Sequence, residues 1–320
     1  MGRIFTSLSI IVKDYCEKYL NSSTGSIVNL INAKHPEYDK ENIRSAIRYF
    51  RGATGDKHRK NAKFKNFKLP TSSAHSFDPF HLSQSRTLIL SDLHFPYQHN
   101  EAISLAMNYG LEKDVNCILI NGDLIDFANI SRHDRDIRNR STIYEIESVR
   151  MFLEILRETF PKARIIFKYG NHDERWDKWL YINAPEFFEL DDLQLESVLR
   201  LNDLNIEVVK DKRPIKIGKL TVLHGHEVVG GSGGVNPARS MFMKTFDSIL
   251  VGHFHKTSNN TETNLGGDVI ATNSVGCLCG LTPSYMPINR WNLGFAYCEL
   301  QIKTGDYYLN NLKIIKGKIY

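Results

Sequence analysis

Five times between residues 87 and 255 the chain runs through a short β-prone stretch and then presents Asp, Asn or His. TLILSDLH ends in Asp92-x-His94, NCILINGD in Gly122-Asp123, and ARIIFKYGNHD in Gly170-Asn171-His172-Asp173. KLTVLHGHE ends in His224-Gly225-His226, and DSILVGHFH in Gly252-His253-x-His255. An open sheet accommodates such a pattern, because it gathers ligand sites at the carboxyl ends of its strands. Five such ends in one sheet would converge, and period-two alternation would put both residues of an x-spaced pair on one side. Residues 101–110 and 143–160 read as crossover helices between these runs. In the second, Ile146, Val149, Phe152, Leu153 and Leu156 fall at helical spacing before Pro161.

Taken singly, each motif has a bland reading: D-x-H a chance pair, G-D a turn after a strand, G-N-H-D a left-handed turn. Taken together and in this order, they resemble the signature of the calcineurin-like metallophosphoesterases, in the wording of phage-borne and bacterial members. The resemblance covers roughly the last three-quarters of the chain. It implies an α/β fold, a four-layer α/β/β/α β-sandwich flanked by helices with metals at one end. DVIATNSVGCL, NLGFAYCEL and DYYLNNLKII would supply the second sheet. Carried over residue by residue, it implies that Asp92, His94 and His255 hold one metal, Asn171, His224 and His253 a second, and that Asp123 bridges both. His224 is taken over His226 as the first His after its strand. His172 would face the scissile phosphate, oriented by Asp173.

The implied chemistry suits these residue types. Two cations about 3.5–4 Å apart clamp an in-line phosphoryl displacement and make water a nucleophile near neutral pH. A carboxylate bridges two cations because it has two oxygens. An imidazole suits the general acid that protonates the leaving oxygen. Imidazole, carboxylate and amide donors fit Mn, Fe, Zn, Ni or Co, with Mn favoured. Further candidates for substrate contact are His133 in the loop after G-D, Arg175 after G-N-H-D, His226, and Arg239 beyond the glycine-rich GGSGG. Arg132, Arg135, Trp176 and Trp179 are weaker ones.

The amino-terminal part lies outside this pattern. Residues 1–86 carry 15 Lys/Arg against 7 Asp/Glu in a chain whose net charge is +5, so the remainder is slightly acidic. The excess is densest from Arg44 to Lys68, where Tyr49, Phe50, Phe64 and Phe67 are interleaved. Ile4, Leu8, Ile11 and Tyr15 suggest one helix, and Ile27, Leu30 and Ile31 a second. Asp39 caps a third, with Ile43, Ile47 and Phe50 inward and Gly52 at its end. Arg44, Arg48 and Arg51 share a face of that helix. This weakly resembles a helix-turn-helix unit and makes DNA or RNA a candidate partner; the alternative is a helical cap with a solvated charged face. We therefore divide the chain into a small basic helical domain (1–68), a Ser/Pro/His-rich linker (69–86) and a metallophosphoesterase domain (87–320).

No apolar run approaches the ~18 residues that a membrane helix needs, so no membrane partner is expected. Five cysteines, an odd number, with no secretory signal point to a reducing, cytoplasmic setting. Cys277-x-Cys279 reads as a buried structural pair. The expected function is a dinuclear-metal hydrolase of phosphate esters, foremost a phosphodiesterase or nuclease. A phosphomonoesterase acting on a nucleotide or phosphoprotein is the alternative. A nucleic-acid-binding module with an inactive enzyme domain stands behind both, and the intact ligand set argues against it.

Overall fold

The computed structural model describes residues 6–52, 71, 78–131, 141–228 and 234–320. The chain divides into two compact units, residues 1–75 and 76–320.

The first unit holds three short helices, α1 (Ser7–Lys18), α2 (Thr24–Lys34) and α3 (Lys40–Arg51). Thr6, Ser23 and Asp39 each accept a backbone N–H of the following turn, which satisfies donors that a helix start leaves unpaired. Val12, Cys16, Ile27, Val28, Ile31, Ile43 and Ile47 form the buried core. The seam on α1 therefore lies one residue beyond the expected Leu8–Ile11–Tyr15 stripe, which flanks it; Ile4 is outside the described residues. On α2, Val28 is buried and Leu30 exposed. Arg51 is not on the solvent face with Arg44 and Arg48. Its guanidinium donates to the carbonyls of Cys16, Tyr19 and Ser22, acceptors freed where α1 ends.

The second unit stacks two mixed sheets. The seven-stranded sheet has the order β13-β12-β11-β2-β3-β4-β5, and the six-stranded sheet β1-β6-β7-β8-β10-β9. The strands of the first are β2 (Arg86–Leu90), β3 (Cys117–Asn121), β4 (Arg164–Lys168), β5 (Ile206–Val209), β11 (Leu293–Leu300), β12 (Tyr307–Ile315) and β13 (Lys318–Ile319). Those of the second are β1 (Phe80–Leu82), β6 (Ile215–Ile217), β7 (Leu220–Leu223), β8 (Ile249–Val251), β9 (Ser258–Thr263) and β10 (Val269–Ser274). Alternation along the strands builds the layers. Ile89, Leu119 and Ile166 point into the sandwich, against Ile217, Val222 and Leu250 of the other sheet. Their neighbours Leu88, Leu90, Ile118 and Ile165 face α4 (Asn100–Glu112) and α5 (Thr142–Thr159), through Ala106, Val149 and Leu153. On the far side Met241 of α8 (Pro237–Thr245) covers Leu223, Ile249 and Val251. Between these lie α6 (Glu174–Asn183) and the short α7 (Leu195–Val198). The four layers match the expected fold class.

Three expectations are corrected. The five motif strands do not share one sheet: β2, β3 and β4 are parallel neighbours, but β7 and β8 pair in the other sheet. Only β10 of the three late segments joins that second sheet. β11 runs antiparallel beside β2 and brings β12 with it, because pairing partners are set by long-range register rather than local pattern. The segment expected to link the units, 69–86, also ends in structure: β1 pairs parallel with β6. Leu82 enters the sandwich core, and the Phe80 ring lies under the guanidinium groups of Arg164 and Arg213.

A buried ion pair crosses between the sheets. Lys168 at the end of β4 meets Glu227, just after β7, at 2.8 Å, and neither side chain reaches solvent appreciably. Burial would raise the Glu227 carboxyl, but Lys168 and His224 outweigh it and hold it down to about 2. A depressed carboxyl contributes stability that is present above its ordinary 4.5 and lost as pH falls toward 2. Lys168→Met leaves the carboxylate buried without its cation. It is expected to cost about 3–5 kcal/mol of unfolding free energy at pH 7 and to flatten the loss of stability below pH 4.5, measured by urea unfolding across pH.

Candidate metal centre

The motif residues lie just past their strands, where the backbone turns. Asp92, His94, Asp123, His253 and His255 all have left-handed φ, between 49° and 67°. This corrects the expected alternation. Each x-spaced pair converges because the chain coils after the strand, and such strain concentrates at functional sites. The glycines serve close approach. Gly122 has φ +84°, and a Cβ there would collide with the His224 ring; at Gly252 it would strike Ser91 and the Asp92 carboxylate. With no side chain at 252, the N–H of His253 donates to both Asp92 oxygens at 3.0 and 2.9 Å.

Four groups of donor side chains result among the described residues, and two of them share Asp123. One gathers Asp92, His94, Asp123 and His255, the other Asp123, His224 and His253. In the first, His94 Nε2 and His255 Nε2 are 3.1 Å apart, and His255 Nε2 is 3.3 Å from Asp92 Oδ1. In the second, His224 Nε2 lies 3.2 Å from Asp123 Oδ2 and 3.3 Å from Asn171 Oδ1. The seven residues expected as ligands are thus brought together. His226 is not among them: its Nε2 turns to Glu174 Oε1, 2.9 Å away.

The outer contacts orient the rings. His94 Nδ1 sits 2.9 Å from Asp126 Oδ1, and His224 Nδ1 2.8 Å from the Asn121 carbonyl. A neutral ring that donates through Nδ1 keeps a lone pair on Nε2, so both Nε2 atoms aim acceptors at the carboxylates. Acceptors converging on acceptors call for a cation. Without a metal that cation is a proton. Burial would lower His224 and His255, but Asp123 and Asp92 respectively raise each to about 10. Burial would likewise lift Asp92, yet His255 brings it down to about 2. Nitrogen and oxygen donors in this arrangement fit divalent metals.

Residues 85–257 match the calcineurin-like phosphoesterase family. The chain belongs to that family. This calcineurin-like phosphoesterase is also similar to the Gene 54 proteins of two mycobacteriophages. It is 24% identical to that of phage L5 over 229 residues, 66% of this chain and 87% of the relative. To that of phage D29 it is 22% identical over 190 residues, 56% and 72%. Among solved structures it is similar to vacuolar protein sorting 29 from Cryptosporidium parvum, at 15% identity and TM-score 0.38, covering 74% of this chain and 95% of that one. It is also similar to the phosphoesterase YfcE from E. coli, at 14% identity and TM-score 0.34, covering 71% and 98%. The family binds divalent metals and hydrolyses phosphoesters. Among the described residues no helix is long and apolar enough to cross a membrane.

The remaining candidates fall in different places. Asp173 does not orient His172. Its buried carboxylate accepts the backbone N–H groups of Gly170, Asp123, Leu124 and Ile125 at 2.7–3.3 Å, so it clamps the G-D loop to the G-N-H-D turn. Burial and the neighbouring Asp123 push it up to about 7. The residue that does hold His172 is Asp126, which the sequence reading passed over. His172 Nδ1 lies 2.9 Å from its carbonyl and 3.1 Å from its Oδ1. The available signal was the acid three residues beyond Asp123. Arg175 donates to His172 Nε2 at 3.0 Å and to the Asp126 carbonyl at 2.8 Å. Trp176 packs on Phe127, donates to the Leu193 carbonyl and stacks with Trp179. Arg239 is exposed on the first turn of α8. His133, Arg132, Arg135 and all of the GGSGG run but Gly234 lie outside the described residues. Cys277 and Cys279 are buried, and Cys279 Sγ is 3.8 Å from His255 Nδ1.

Because Asp123 serves both clusters, Asp123→Asn is expected to weaken both metals together, whereas Asn171→Ala weakens one. Elemental analysis of the purified variants, with titration calorimetry of Mn²⁺ into stripped protein, measures this; selective loss of a single ion in Asp123→Asn refutes the shared role.

Proposed function

We propose that this calcineurin-like phosphoesterase is a two-metal phosphodiesterase acting on nucleic acid. The observation that carries the reading is Asp123, shared by two nitrogen–oxygen clusters with the His172 ring alongside, its Nε2 4.0 Å from Asp123 Oδ2. Asp92, His94 and His255 would hold one ion, Asn171, His224 and His253 the other, and Asp123 both, with manganese the favoured metal. The bound ions supply Lewis acidity at a phosphoryl oxygen and lower the pKa of an attacking water.

The chain's own groups do the rest. Asp126 anchors His172 through Nδ1, and Nε2, which accepts from Arg175 here, would carry the proton for the ester's leaving oxygen once substrate draws Arg175 away. Burial would lower His172, but Asp123 and Asp126 outweigh it and raise it, which favours the protonated donor. Arg175 stands at Nε2, and its guanidinium suits a phosphoryl oxygen once substrate separates the two. Its five thiols suit the reducing cytoplasm.

The nucleic-acid assignment rests on α3, where Arg44 and Arg48 are exposed and tied to Glu41 at 3.1 and 3.2 Å. Phosphate contacts made by such arginines release counterions. The double variant Arg44→Ala/Arg48→Ala should reduce the slope of log affinity against log salt by about 1 to 2, measured by anisotropy on single- and double-stranded oligonucleotides. An unchanged slope assigns the face to solvent.

His172→Gln tests the chemistry. Metal content should stay at that of the parent, while turnover falls ~10²–10⁴-fold. The loss should be larger for an alkoxide leaving group than for nitrophenolate, measured as kcat on matched phosphate diesters. Equal losses on both esters exclude the acid role.

A further inference from the structure

The rim of the metal centre carries an ordered aromatic loop that the mechanism above does not use. Residues 280–292 connect Cys279 to β11, and both ends are tied to segments that supply cluster residues. The Gly280 N–H donates to the Tyr97 carbonyl at 2.8 Å, three residues beyond His94, and the Asn292 N–H donates to the carbonyl of His255 at 2.9 Å. Inside the loop Asn289 acts as a brace. Its amide donates to the carbonyls of Leu281 and Met286, and its oxygen accepts the Trp291 N–H, all at 2.7–2.9 Å. The loop therefore presents its side chains from a fixed frame.

Two rings lead outward from the centre. Trp291 stands edge-on against His255, with centroids 4.1 Å apart, and Tyr285 follows at 6.4 Å from Trp291. Trp291 is half-buried, whereas Tyr285 is 75% exposed. Desolvation, then the charge of Asp126, pushes its phenol up to about 12. The ring thus lies within the electrostatic reach of the centre and stays neutral. Met286 and Ile288 are exposed on the same loop, as is Arg290. An exposed aromatic on a braced loop contributes little to folding, because it buries little area. Beside a phosphoester centre it offers what a neighbouring group of the substrate needs, a flat apolar face.

We infer that Tyr285, backed by Trp291, is a stacking platform for the nucleobase adjoining the phosphate held in the metal centre. This rests on the phosphoesterase reading above and narrows its substrate to esters bearing a base. Every base has a π-face, so the platform selects nucleotides without selecting sequence. The sugar spans the step from the phosphate, at the His255 side, to the base, on Tyr285. Arg290 on that loop suits the next phosphate of a strand.

The experiment compares substrates that differ only in the base. One pair is a dinucleotide and its analogue with an abasic sugar on one side; the other is a nucleoside 5′-monophosphate and ribose 5-phosphate. The manganese-loaded full chain and its Tyr285→Ala and Tyr285→Phe variants are assayed on both pairs. The parent should favour the base-bearing member by about 5- to 150-fold in kcat/KM, the worth of one stacked base, mostly through KM. Tyr285→Ala should bring that ratio close to one, and Tyr285→Phe should preserve it. A parent ratio near one overturns the platform. So does a Tyr285→Ala variant that loses both members of a pair in parallel, which is the signature of a structural role. Hydrolysis of the monoester pair alone, with the ratio and its Tyr285 dependence intact, removes the nucleic-acid reading but keeps the platform. Preferred turnover of phosphotyrosine over the nucleotide, with the same Tyr285 dependence, gives the platform to a phosphoprotein and overturns the inference.

Discussion

Everything at the metal centre hangs on one carboxylate that touches no expected substrate or metal. Asp173 takes four backbone N–H groups from two loops. An unpaired buried N–H costs about as much as a lost hydrogen bond. The clamp fixes Asp123 in its left-handed turn and holds the Gly170–Asp173 turn that carries Asn171 and His172. From there the order follows outward. Asp123 meets His94 and His224, Asp126 meets His94 and His172, and His94 and His224 arrive with their acceptor atoms aimed inward.

The same logic explains why two sheets are needed. Parallel β2, β3 and β4 deliver Asp92, His94, Asp123, Asn171 and His172 along one edge. They cannot supply the opposite wall, because the helices α4 and α5 cover one face and the sandwich core fills the other. That wall comes from β7 and β8, and the Lys168–Glu227 pair holds it in place: Glu227 also accepts the N–H groups of His224 and Gly225 at 2.9 and 2.6 Å. A structural ion pair and a ligand-bearing loop are thus one unit.

Much of this was legible in the sequence, and for identifiable reasons. The candidate ligands sit in short local motifs, and the third helix carries its cap at Asp39, so both survive reading in one dimension. What was not legible depends on contacts far apart in the chain. β11 chooses β2 over β10 through a register spanning some two hundred residues. Asp126 looks like one polar loop residue among many until His94 and His172 close on it. Asp173 had an acid's usual reading, a partner for the neighbouring histidine, because nothing local reveals four amides pointing at it. Arg51 resembled its neighbours Arg44 and Arg48 by helical spacing, yet a fold of three helices leaves loose carbonyls that only the assembled unit exposes to it.

The left-handed turns that carry five of the cluster residues have a thermodynamic consequence. Each is a conformation that a side-chain-bearing residue enters at a cost. An ion that binds the folded arrangement and not the unfolded chain returns that cost as stability, growing with the logarithm of its concentration over its dissociation constant. Because each cluster draws ligands from both sheets, that gain falls on the seam where the sheets meet. A bound metal would act there as a rivet at one end of the sandwich.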